Sequence, residues 1–154
     1  MSRGKIVAPF LGVALLMAGL AFAQNQFDKA EYTMPATPGQ KKGEVYQGTL
    51  KLDSTAKEVQ FLSTGGSVPL RVKYEAIKSM LYERTAKPRY AAAILLSPLF
   101  LFSKSKKHYL TIQYTDAAGA GQYALIRLNK GNFREALAAV EAETGKKLER
   151  TEER

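Results

Sequence analysis

The sequence predicts a mainly β domain: six or seven antiparallel strands curled into a small barrel, with one end capped by a single C-terminal amphipathic helix. Three observations carry that prediction. Apolar and polar residues alternate in several short segments between Glu44 and Leu128, turns rich in Gly and Asp separate those segments, and a single stretch beyond the N-terminal region repeats its apolar residues at helical spacing. An antiparallel sheet of this size must cover one face. Curling on itself and closing one end with the helix is the most economical way to do so.

The 154 residues suit one domain. MSRGKIVAPFLGVALLMAGLAFAQ has the three parts of a secretory signal peptide: Arg3 and Lys5 ahead of an apolar run from Ile6 to Leu20, then a small-x-small end at Ala21-Phe22-Ala23. Retention as an anchor competes with cleavage, because an apolar run of about 18–20 residues can span a bilayer. Pro9 and Gly12 interrupt the run, and the A-x-A end points to cleavage near Ala23, with export to the periplasm or beyond. The chain has no cysteine, so an exported domain must rest on its hydrophobic core rather than on disulfides.

Residues 24–43, QNQFDKAEYTMPATPGQKKG, contain Pro35, Pro38 and Gly39 and show neither period 2 nor period 3.6, which predicts a flexible leader. The domain is expected over residues 44–148. EVYQGTLKLD and KEVQFLS alternate Leu50, Leu52, Val59 and Phe61, joined at Asp53-Ser54-Thr55 as a hairpin. TGGS turns into VPLRVKY, which alternates Leu70, Val72 and Tyr74. A short turn at Glu75–Lys78 leads to SMLYERT, with Met80 and Tyr82 inward. HYLTIQYTD places Leu110, Ile112 and Tyr114 on one face, DAAGAG is a hairpin loop, and QYALIRLNK returns with Ala124, Ile126 and Leu128 inward. In NFREALAAVEAETGKK, Asn132 is placed as an N-cap with Glu135 completing a capping box, and Gly145 as the residue ending the helix. Phe133, Leu137 and Val140 form a narrow apolar stripe, and residues 149–154 read as a charged tail.

VPLRVKYEAIKSMLYER, KKHYLTIQYTDAAGAGQYALIRLNKGNF and ETGKK together resemble the bacterial PH-like and GRAM-like domains of the pleckstrin-homology-like superfold, over about Gly48 to Lys147. The resemblance implies a binding platform for lipids, peptides or proteins rather than an enzyme, although one fold hosts many functions. Eukaryotic PH domains hold phosphoinositides with a basic cluster in and beside the first hairpin loop. The stretch compared with it, DSTAKE (Asp53 to Glu58), carries one lysine and two acids, so that site is not transferred.

Catalytic chemistry finds little foothold. His108 is the only histidine, and without cysteine neither a thiol nucleophile nor a Cys/His zinc site is available. Lys106 and Lys107 beside it lower its basicity, and a surface or barrel-rim role is the plainer reading. Glu75 and Glu83, or Asp53 and Glu58, could form carboxylate pairs, but one sequence does not separate an acid/base pair from solvating glutamates. Thr64–Ser67 and Gly119–Gly121 lack the strand-glycine-helix context of a phosphate cradle. No cofactor and no metal site is expected.

Charge is more informative. The formal net charge is +9, or +7 once Arg3 and Lys5 are removed, which favours anionic partners. In an exported protein these are an anionic membrane surface or an acidic envelope protein rather than nucleic acid. From Arg84 to Lys107 there are six basic residues and no acid: Arg84, Lys87, Arg89, Lys104, Lys106 and Lys107 are the predicted contacts. Between them lies Ala91–Phe102, AAAILLSPLFLF, too short to span a bilayer as a helix and broken by Pro98. Three readings stay open for it: a buried strand, a loop dipping into the lipid interface, or a patch for a protein partner or homo-oligomer.

Overall fold

A computed structural model describes residues 25–91 and 104–152. The expected signal segment, and the apolar stretch beyond Ala91, lie outside the described residues. The order is β1 (Gln26–Met34), β2 (Glu44–Asp53), β3 (Glu58–Ser63), β4 (Leu70–Lys73), a 3-10 turn (Tyr74–Ala76), β5 (Ile77–Thr85), β6 (Lys107–Thr115), β7 (Gly121–Leu128), α1 (Phe133–Thr144) and β8 (Leu148–Glu152). Mainly β with one C-terminal helix is therefore what the described residues form.

All eight strands belong to one sheet in the order β4-β3-β2-β1-β7-β6-β5-β8. Every neighbouring pair is antiparallel except β5 with β8, which run parallel. Six or seven antiparallel strands is thus too few by one or two, and two segments account for the difference. The expected leader supplies β1, the strand that joins the two halves of the sheet by pairing with both β2 and β7. The expected charged tail supplies β8 on the far edge. The first hairpin is consequently β1–β2, turning through residues 35–43, and DSTAKE belongs to the second.

Backbone pairing leaves β4 and β8 unjoined, so the ladder itself does not close. The sheet nevertheless bends sharply. In a flat sheet β4 and β6 would lie about 24 Å apart, yet Val72 and Lys73 of β4 line one concavity with Tyr114 and Thr115 of β6. Apolar side chains of all eight strands meet in a single core, among them Phe27, Leu50, Phe61, Val72, Met80, Ile112, Ile126 and Leu148, and α1 adds Ala136, Leu137 and Val140.

Two local features produce the bend. Between Phe27 and Ala30, β1 carries one more residue than its partner, because Phe27 pairs with Leu50 and Ala30 with Gly48. Lys29 in this bulge takes a left-handed φ of 57°. Opposite it, Gly48 approaches the third strand so closely that a Cβ would sit 1.9 Å from the Leu62 carbonyl oxygen.

The helix ends as its sequence predicts: Gly145 is left-handed at φ 66° and its N–H donates to the Glu141 carbonyl. Its start differs. No side-chain cap forms at Asn132, whose Nδ2 instead donates to the Asp28 carbonyl in the β1 bulge at 3.2 Å. The expected capping box gives way to a tertiary bond that ties α1 to β1.

The outer face of β5–β6–β7 is also covered. Residues after β5 turn back over it: Ala91 joins Tyr109 and Leu125 in a second small cluster, and Tyr90 stacks on Tyr123 with centroids 4.7 Å apart. Hence Leu81, Glu83, Thr85, Tyr109 and Thr111, on the face opposite the main core, are buried too.

Candidate anion-binding cleft

Three of the six predicted contacts converge. Arg84 near the end of β5 pairs in register with His108 near the start of β6, which places Lys106 and Lys107 beside it. Together they line a shallow cleft of about 370 Å³ with Lys29 from the β1 bulge, Arg127 and Leu128 from the end of β7, and Asn129 and Lys130 from the turn into α1. The cleft lies at the opposite end of β1 from the β1–β2 turn. Six cationic side chains from four separate parts of the chain face one space, and no carboxylate lines it.

Arg127 is the best anchored, through an ion pair with Glu31. Lys29, Arg84, Lys107 and Lys130 have no carboxylate partner among the described residues. Elsewhere Lys51 pairs with Asp53, Arg71 with Glu58, and Arg150 with Glu141. Like charges crowded together repel one another, and the pairing of Arg127 with Glu31 offsets only part of the excess, so the cleft carries a positive potential that an anion relieves.

His108 supports one wall. Its Nδ1 is 2.8 Å from the Tyr82 hydroxyl, and its ring stacks on Phe133 with centroids 3.8 Å apart. Arg134 continues the column, its guanidinium 5.5 Å from the Phe133 centroid. A ring held by stacking and by hydrogen bonding to Tyr82 is a rigid side to the cleft, and it links the first residue of α1 to β5 and β6.

The remaining predicted contacts point elsewhere. Arg89 reaches over the outer face, its guanidinium 3.9 Å from buried Glu83 and 3.7 Å from Glu149. Its backbone N–H donates to Glu83 at 3.1 Å, so this arginine holds the covering segment down. Lys87 and Lys104 are exposed and do not line the cleft.

Lys29, Arg127 and Lys130 are distant in sequence from the basic cluster, so its charge pattern does not include them. Only the antiparallel ladders β5–β6, β6–β7 and β7–β1 bring them to it. Lys130 in RLNKGNF was the one readable hint, as a basic residue just before a helix. Among the described residues no group of three or more His, Cys, Asp or Glu side chains is placed to hold a metal ion, and no helix is long and apolar enough to cross a membrane. The chain matches no protein-family model and no curated protein.

Proposed function

We propose that this chain is an exported, non-catalytic binding module that docks on anionic lipid headgroups at the cell envelope through the cleft at the β5–β6–β7 end. The observation that carries the reading is the convergence of six cations on one concavity with no acidic lining residue. The N-terminal sequence supports export. A bent sheet of two antiparallel meanders, β1–β4 and β5–β7, followed by a helix supports placing the domain in the PH-like superfold, whose members are mostly binding platforms.

The test is co-sedimentation of the chain from Gln24, which keeps every described element, with neutral and anionic vesicles at two salt concentrations. Each cation near an anionic surface contributes about 1 kcal/mol. Replacing Arg84, Lys107 and Lys130 by Gln should therefore weaken anionic-vesicle binding on the order of a hundredfold. Binding should also fall as the screening length shrinks from about 30 Å at 0.01 M salt to about 8 Å at 0.15 M. Equal sedimentation with neutral and anionic vesicles, or none with either, ends the lipid reading and directs attention to an acidic protein face.

A further inference from the structure

We propose that the cleft is a built site for a compact, multiply charged phosphate group, a phosphomonoester or diphosphate, and that Lys29 is the residue that shapes it. The inference rests on the anion-binding reading above and narrows it from a charged surface to a defined pocket.

The first ground is Lys29 itself. An L-residue at φ 57° is in a sparsely populated, strained backbone region that glycine occupies freely. A lysine is held there because the inserted residue redirects the strand, and its side chain lines the cleft. The bulge is braced on two sides: the Asp28 carbonyl accepts from Asn132 Nδ2, and the Asp28 carboxylate accepts from the Thr49 hydroxyl at 2.7 Å. A bulge pinned in this way fixes where the lysine's backbone leaves the strand, beside the cleft that its side chain lines.

The second ground is the charge count against the volume. Lys29, Arg84, Lys107 and Lys130 face one space of about 370 Å³ without a carboxylate among the described residues. A singly charged carboxylate or phosphodiester compensates one of them. A group carrying two or more charges on neighbouring oxygens compensates several at once and accepts a hydrogen bond from each donor. Leu128 is the only aliphatic side chain in the lining, so the cleft offers an acyl chain no apolar floor. Such a phosphate arrives either on a lipid headgroup or as a free soluble ligand.

The experiment titrates the full-length chain with inorganic pyrophosphate by calorimetry, alongside Lys29→Gly, Lys29→Gln and, as a charge control, Lys78→Gln at the other end of β5. Both Lys29 variants should weaken pyrophosphate binding by roughly fivefold or more, the loss expected for one cation contact, while Lys78→Gln leaves it unchanged. Lys29→Gly should melt at or above the parent temperature, which separates lost binding from lost folding. An equal loss in Lys78→Gln, or full affinity in Lys29→Gly, overturns the inference.

Vesicles carrying phosphatidic acid, a phosphomonoester, and phosphatidylglycerol, a phosphodiester, distinguish the source. Preference for phosphatidic acid that pyrophosphate competes away assigns a lipid headgroup; pyrophosphate binding without that preference assigns a soluble ligand. Anionic-vesicle binding with no pyrophosphate binding overturns the compact site and leaves the broader reading standing. Binding to neither overturns both.

Discussion

Gly48 and Lys29 lie almost opposite one another on β2 and β1, and between them they set how far the sheet coils. A methyl group at Gly48 would meet backbone atoms of Leu62 and Ser63, which cannot rotate away as a side chain could. Gly48→Ala is therefore expected to lower stability by about 3 kcal/mol or to prevent folding, read as the shift of the urea midpoint. Lys29 carries the opposite sign, since glycine at that left-handed position relieves about 1 kcal/mol of strain. Neither role is legible in the sequence. Gly48 sits in an ordinary alternating segment, and its constraint comes from a strand that only folding brings alongside.

At the scale of elements, β1 explains why an alternating strand can pass for a leader. Its inward residues are Phe27, Ala30 and Tyr32, and the extra residue between the first two breaks the period-2 pattern. β8 is hidden in the sequence for another reason: among its described side chains Leu148 alone is buried, and a charged edge strand looks like a solvated tail. Both elements are expected to be indispensable. Truncating Phe27 or Tyr32 alone would cost about 3–5 kcal/mol, against a total stability of about 5–15 kcal/mol. A chain beginning at Gly43, which lacks β1 altogether and so removes the strand that pairs with both β2 and β7, should then fail to fold, with no cooperative unfolding transition by circular dichroism. A normal transition in that truncation would mean β1 is an accessory strand.

For the whole molecule the titrating groups bound a pH window. Three carboxyls are held below their ordinary values: Asp53 chiefly by the Ala56 N–H, Asp116 chiefly by the Gln122 amide, and Glu141 chiefly by the Leu148 N–H. Their stabilisation is present above the usual carboxylate range and is lost as the pH falls through their lower folded values. At the alkaline end, burial pushes the Tyr74 and Tyr109 phenols from 10.0 up to about 12, and raises Tyr32 further. That stabilisation is complete below pH 10 and is lost as the pH rises through the folded values. Denaturant midpoints should therefore form a plateau with an acid and an alkaline limb. Phenolate absorbance for these three tyrosines should appear together with unfolding; ionisation well before unfolding would contradict their burial. The acid limb should persist in high salt, because screening relieves net-charge repulsion but not the loss of local hydrogen bonds.

By itself the sequence determined the strands from β2 to β7, the helix and its glycine stop, and the concentration of positive charge around Arg84–Lys107. These are local properties, written in periodicity, turn chemistry and composition. Only the tertiary structure decided that the leader is the strand joining both halves of the sheet, that Arg89 serves the outer face, and that Lys29, Arg127 and Lys130 complete the cleft. Those outcomes depend on register and on a one-residue bulge. Such features arise from pairing between distant segments and leave no periodic trace in either one.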